Sequence, residues 1–79
     1  MLVKSFLALP KGNKLTQLSN YISTFENCEV TAPTNRNDVL VVVMENTDKR
    51  TEDQTLLKLH ESDYLEHMVL VSSFNAEEN

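Results

Sequence analysis

The chain has 79 residues, of which 41% are hydrophobic and 24% are charged, and its formal net charge is −5 at pH 7. This length allows one domain with one small core, and this composition argues against global disorder. The negative charge repels phosphate backbones and anionic lipid, which disfavours nucleic acid as a partner and favours a basic peptide or protein surface.

The first third of the chain predicts a strand followed by an amphipathic helix. Residues 3–9 are typical of a strand, which Pro10 and Gly12 would end. Asn13 is suited to cap the following helix, and Asn27 to close it. Apolar residues recur along one face of this helix at steps of three and four, at Leu15, Leu18, Ile22 and Phe25.

The middle of the chain predicts a hairpin. Residues 28–32 alternate as a half-buried strand should, with Cys28, Val30 and Ala32 facing inward. A polar loop over residues 33–37 leads into a strand over residues 39–45, which is apolar on both faces. These two strands should pair.

The last third predicts a second helix and a last strand. Thr51 and Gln54 have the spacing of a capping box, so this helix should begin near Thr51 and end near Ser62. A strand over residues 67–74 should follow, with residues 74–79 fraying as a tail. The whole chain, residues 1–79, then forms a single α+β domain of the ferredoxin-like βαββαβ type, a four-stranded antiparallel sheet with both helices on one face.

Two helices can cover only one side of such a sheet, so the other side is predicted to be open. Charged and polar strand residues should mark the open side, because burying an unpaired charge is costly. The markers are Lys4, Glu29, Thr31, Glu45 and Glu66. Counting by twos from them assigns to the same side Phe6, Ala8, Val39, Val41, Val43, Met68, Leu70, Ser72 and Phe74. The remaining strand residues, predicted to face the helices, are Val3, Ser5, Leu7, Leu9, Cys28, Val30, Leu40, Val42, Met44, Val69 and Val71.

The sequence offers little for catalysis or metal binding. His60 and His67 lie among acidic residues without a recognised ligand spacing, so a solvated acidic surface is the favoured interpretation. Cys28, the only cysteine, falls on an inward strand position and is interpreted as a buried small hydrophobe. Gly12 is the only glycine, which excludes a glycine-rich phosphate loop. We therefore expect neither an enzyme nor a bound cofactor or metal.

The order and spacing of several segments resemble one family. Residues 3–8 (VKSFLA) are similar to the opening strand of the NapD family, and Phe25 with Cys28-Glu29-Val30 is similar to its Phe-Pro-Gly-Cys-Glu-Val run. Residues 40–43 (LVVV) are similar to its Leu-Ile-Val-Val-Val strand, and residues 65–72 to its closing strand. The resemblance covers most of the chain.

The resemblance implies a cytoplasmic chaperone for assembly of periplasmic nitrate reductase, without a cofactor and not inserted in the membrane. Such a protein binds the twin-arginine signal peptide of the catalytic subunit and delays export until the molybdenum cofactor is inserted. The absence of a span of about 20 apolar residues agrees with a cytoplasmic location. The predicted peptide-binding residues are Phe6, Ala8, Glu29, Val39, Val41, Val43, Glu45, Glu66, Leu70, Ser72 and Phe74. The alternative is a homodimeric or small-ligand-binding regulatory domain that uses the same apolar face.

Overall fold

The computed structural model describes residues 1–46 and 48–75. Its elements in chain order are β1 (Leu2–Pro10), α1 (Leu15–Ile22), β2 (Cys28–Thr31), β3 (Leu40–Asn46), α2 (Lys49–Glu61) and β4 (Leu65–Asn75). The four strands form one antiparallel sheet in the order β2-β3-β1-β4. The predicted ferredoxin-like fold is confirmed, as is the pairing of β2 with β3.

The core lies between the two helices and one face of the sheet. Leu18 and Ile22 of α1 and Leu59 of α2 are fully buried in it. The strands contribute Phe6, Ala8, Cys28, Leu40, Val42, Met44 and Leu65. The burial of these aliphatic and aromatic groups is the main favourable term in folding, at about 25 cal/mol for each Å² of apolar surface removed from water.

Helix α1 is shorter than the sequence predicted. Lys14, not Asn13, occupies its N-cap position, and the helix ends at Ile22 rather than continuing to Asn27. Turns then carry the chain to β2, with the backbone N–H of Cys28 donating to the carbonyl of Phe25. The ring of Phe25 still packs on the core and meets Tyr21 edge to face. The apolar repeat was therefore assigned correctly to the core, but only its first three members, Leu15, Leu18 and Ile22, lie in the helix.

Helix α2 begins earlier than predicted. Asp48 is its N-cap, and its carboxylate accepts a hydrogen bond of 2.8 Å from the backbone N–H of Thr51. The predicted start at Thr51 was wrong, because Asp48 supplies the same kind of cap three residues earlier. The predicted end near Ser62 agrees with the last helical residue, Glu61.

Strand β4 is longer at both ends than predicted. It starts at Leu65 rather than His67 and continues to Asn75, so Phe74 belongs to the sheet and not to a frayed tail. Residues 76–79 of the predicted tail lie outside the described residues. Two shifts in its register with β1 leave Val71 and Glu66 without a partner residue on that strand, and these irregularities determine which face each side chain of β4 occupies.

A buried ion pair ties α2 to the sheet. The ammonium of Lys4 in β1 contacts the carboxylate of Glu52 in the first turn of α2. The side chain of Glu52 is 4% exposed and that of Lys4 is 19% exposed. Lys4 therefore faces the helices and not the open side of the sheet.

Candidate functional site

The register of β3 defines the two faces of the sheet. Leu40, Val42 and Met44 are fully buried under the helices, whereas the alternating residues Val41, Val43 and Glu45 point to the other side. Residues directly opposite one another on antiparallel strands share a face. The pairing of each strand with its neighbour therefore assigns every paired strand residue to the helix side or to what we call the uncovered face.

The assignment of β1 from sequence was wrong. Lys4, Phe6 and Ala8 pair with Met44, Val42 and Leu40, which places all three on the helix side. Phe6 and Ala8 are buried in the core and unavailable to a peptide. The residues of β1 on the uncovered face are Val3, Ser5, Leu7 and Leu9.

The assignment of β4 was wrong in its first half and correct in its second. Met68 and Leu70 pair with Ala8 and Phe6, so they lie on the helix side, whereas Val69 pairs with Leu7 on the uncovered face. The extra residue at Val71 then shifts the register by one. Ser72 and Phe74 therefore reach the uncovered face, as predicted.

Two other predicted site residues are displaced from the uncovered face. Val39 precedes β3 and is buried, so it offers no exposed surface. Glu66 is exposed, but it lies at the register shift between Leu9 and Pro10. It is therefore at the opposite end of β4 from Phe74, away from the other predicted acidic residues.

The uncovered face is apolar along its centre. The cross-strand rows place Val41 beside Leu7 and Leu7 beside Val69, which makes a continuous apolar row over three strands. Val43 follows on β3, and Phe74 pairs with Val3, which is itself buried, at the end of β1. Val69 is 48% exposed and Phe74 54% exposed. This arrangement can supply apolar contact area to a chain lying across the sheet.

Two carboxylates stand at one corner of this surface. Glu29 of β2 pairs with Val43, and Glu45 lies two residues further along β3 and pairs with Val3. Both side chains are exposed, so their charge is available to a partner. The uncovered face therefore carries negative charge on the β2 and β3 side and aliphatic surface toward β1 and β4.

The position of Cys28 does not favour a role as a nucleophile. The side chain is buried on the helix side of β2, and its burial raises the pKa of the thiol to about 11. The thiol is therefore protonated at neutral pH and reacts poorly. Among residues 1–46 and 48–75, no three His, Cys, Asp or Glu side chains form a group that could hold a metal ion.

A concave surface lies on the helix side. Its lining comes from α1, the turn after it and the residue before β4, namely Gln17, Asn20, Tyr21, Thr24 and Tyr64. The rings of Tyr21 and Tyr64 meet edge to face at 5.9 Å between their centroids. It is a shallow depression between packed aromatic rings. The small-ligand alternative stays a prediction.

The residues that the sequence reasoning missed are Val3, Ser5, Leu7 and Leu9 on β1, with His67 and Val69 on β4. One signal could have found those on β1, because Glu52 in the first turn of a helix can neutralise a lysine beneath it. Ser5 would then have been the polar marker of the uncovered face instead of Lys4. No comparable feature of the sequence indicates the register shift at Val71.

The helices of the described part of the chain are too short and too polar to cross a lipid bilayer. No family model matches the sequence, and no curated protein matches it. The comparison with solved structures finds the solution structure of the E. coli Tat proofreading chaperone protein NapD, with a TM-score of 0.74. The two sequences are 25% identical, and the match covers 96% of this chain and 78% of that one. The chain therefore has a NapD-like structure, which confirms the resemblance predicted from its sequence.

Proposed function

We propose that this chain is a cytoplasmic chaperone that binds the twin-arginine signal peptide of the periplasmic nitrate reductase catalytic subunit and delays export until the cofactor is inserted. The structural match supports a chaperone role, since that neighbour is a Tat proofreading chaperone. The observation that carries the proposal is the uncovered apolar face with two carboxylates at one corner. Such a face suits a peptide with a basic start and an apolar middle.

Apolar contact supplies most of the affinity in this proposal. The contacting residues are Leu7, Val41, Val43, Val69 and Phe74, with Ser72 at the β4 side. Fully burying one such aliphatic or aromatic side chain contributes about 1.5–3 kcal/mol before the entropy cost of association is subtracted. Phe6, Ala8 and Leu70, which the sequence predicted to bind the peptide, lie on the helix side of the sheet. Leu7 and Val69 take their place on the uncovered face.

Charge sets the direction in which the peptide lies. Glu29 and Glu45 attract the arginines at the start of the signal, and the net charge of −5 adds a favourable long-range field. The apolar middle of the peptide then runs from the β2 and β3 corner across Leu7 toward β4. Because both carboxylates are exposed, salt screens this contribution, with a Debye length of about 8 Å at physiological ionic strength.

Calorimetric titration with a synthetic signal peptide tests the apolar contact. Val41→Asp places a charge in the middle of the apolar row, and we expect it to weaken binding about tenfold or more. Leu57→Asp is the matched control, since Leu57 is 58% exposed on α2. Circular dichroism establishes that both variants are folded. Equal affinities of the two variants for the peptide would contradict the proposed face.

A second titration tests the carboxylates. The double variant Glu29→Gln/Glu45→Gln keeps the size of both side chains and removes their charge, so binding should weaken several-fold and depend less on salt. Glu61→Gln, at the exposed end of α2, controls for the change in net charge. If the control loses as much affinity for each charge removed, the arginines of the peptide do not lie at this corner.

A further inference from the structure

The outer edge of β4 is long and lacks a strand partner in the described part of the chain. β4 has 11 residues and is the last strand in the order β2-β3-β1-β4, so only β1 pairs with it there. The other edge strand, β2, has 4 residues. Unpaired N–H and C=O groups along an edge form a template on which another strand can add.

The usual protection of an edge strand is missing from most of β4. Residues 68–75 read MVLVSSFN, without a charged residue or a proline. Edge strands of monomeric proteins are usually short, charged, interrupted by proline or strongly bulged. Here the one irregularity of this kind within the segment is the unpaired Val71, and pairing with β1 resumes at Ser72.

Apolar side chains are exposed on both faces of this strand. Val69 on the uncovered face is 48% exposed, and Leu70 on the helix side is 51% exposed. A peptide lying on the uncovered face would cover Val69 and leave Leu70 in water. A strand added beside β4 covers both, because its own side chains alternate between the two faces.

We propose that the outer edge of β4 pairs antiparallel with the same edge of a second copy of this chain. Residues 68–75 are uncharged, so two identical segments can lie side by side without like-charge repulsion. A basic peptide would find the carboxylates at Glu29 and Glu45, on the two strands furthest from this edge. A two-fold axis makes such an interface self-complementary.

Edge pairing leaves the uncovered face open in both copies. The sheet then continues from one copy into the other. With the two-fold axis at the middle of residues 68–75, Val69 of each copy comes close to Phe74 of the other across the new seam. Self-association and peptide binding are therefore compatible in this arrangement, unlike in a dimer that buries the face. The inference stands without the proposed function, since it depends only on β4.

Sedimentation of the full chain over a range of concentrations up to about 1 mM tests the proposal. We expect a monomer–dimer equilibrium that strengthens with added salt, because each copy carries a net charge of −5. Leu70→Lys should weaken the association about tenfold or more, and Leu57→Lys, which changes a similarly exposed leucine on α2, should not. A wild-type chain that stays monomeric, or two variants that behave alike, would overturn the proposal.

Hydrogen exchange of the wild-type chain supplies a measurement that needs no variant. Outward backbone N–H groups of residues 68–74 should exchange about ten times more slowly in the dimer than in the monomer. Those of β2 should exchange equally in both. Protection confined to β2, no protection at either edge of the sheet, or a β4 edge that is protected by added signal peptide and not by dimerisation would each reject self-pairing.

Discussion

Replacing Lys4 by methionine tests whether the side chain of Lys4 lies under α2, paired with Glu52. The variant leaves the carboxylate of Glu52 buried, with its Oε1 atom already lacking a hydrogen-bond partner within the described residues. Removing one partner of a buried ion pair typically costs about 3–5 kcal/mol. Since water reaches part of the lysine side chain, we expect Lys4→Met to lower the free energy of unfolding by about 3 kcal/mol, at the low end of that range.

Removing the other partner of the ion pair, Glu52, should cost less stability. In Glu52→Leu the long side chain of Lys4 can turn its ammonium toward solvent, so the expected loss is about 1 kcal/mol. The double variant Lys4→Met/Glu52→Leu buries neither charge and should unfold within about 1 kcal/mol of the wild type. The expected order of stability is therefore wild type close to the double variant, then Glu52→Leu, then Lys4→Met.

Urea unfolding followed by circular dichroism measures these differences. A chain of this size is stable by about 4–12 kcal/mol, so a loss of 3 kcal/mol is a large fraction of the total. With a slope of about 1 kcal/mol per molar urea, it moves the midpoint by about 3 M. Lys58→Met, on the exposed surface of α2, is the control and should change stability by less than about 0.5 kcal/mol. Equal midpoints for Lys4→Met and this control would place Lys4 in solvent and refute the reasoning.

Three further predictions concern the core, the cap of α2 and the thiol. Phe6→Ala should lower the free energy of unfolding by about 3–4 kcal/mol and Phe74→Ala by less than about 1 kcal/mol, measured by the same urea unfolding; the opposite order would restore the face assignment made from sequence. The hydrogen bond from the backbone N–H of Thr51 holds the pKa of Asp48 below its ordinary value of 3.8, so its stabilising contribution is complete above pH 3.8 and is lost as pH falls through the lower folded-state pKa. The stability difference between the wild type and Asp48→Ala should therefore shrink in acid, and a constant difference would exclude this cap. Because burial raises the pKa of Cys28 from 9.0 to about 11, a disulfide reagent at pH 8 should react about a hundredfold more slowly with the folded than with the urea-unfolded chain, and equal rates would show an accessible thiolate.

The order of elements could be predicted because each one carries its own local signal. The residues of β3 are apolar on both faces, which is typical of a strand in the middle of a sheet, and β3 does lie between β2 and β1. In β2, alternation placed Cys28 and Val30 on the helix side, as the register confirms. Short, strongly patterned segments of this kind need no knowledge of distant contacts.

The ends of the helices could not be predicted from the same signals. Two suitable caps for α2, Asp48 and Thr51, stand three residues apart, and each can accept a hydrogen bond from the backbone N–H groups that follow it. The choice of Asp48 extends α2 by a turn, and Glu52 comes to lie over Lys4. Tertiary contact between α2 and β1 accompanies this choice, and no local pattern reports such a contact.

β1 was assigned to the sheet with its two faces exchanged, yet an uncovered apolar face was still predicted. The sequence assignment treated Lys4 as a solvent marker, and the ion pair with Glu52 removes the cost that made this assumption reasonable. Inverting β1 exchanges Phe6 and Ala8 for Leu7 and Leu9, and both pairs are apolar. An uncovered apolar face follows from either orientation, because two helices cover one side of a sheet whose central strands are apolar on both. The inversion changes which residues of β1 contact the peptide. Variants at Leu7 and Phe6 therefore distinguish the two orientations of β1. Leu7→Asp should weaken peptide binding in a chain that still folds, whereas Phe6→Asp should prevent folding.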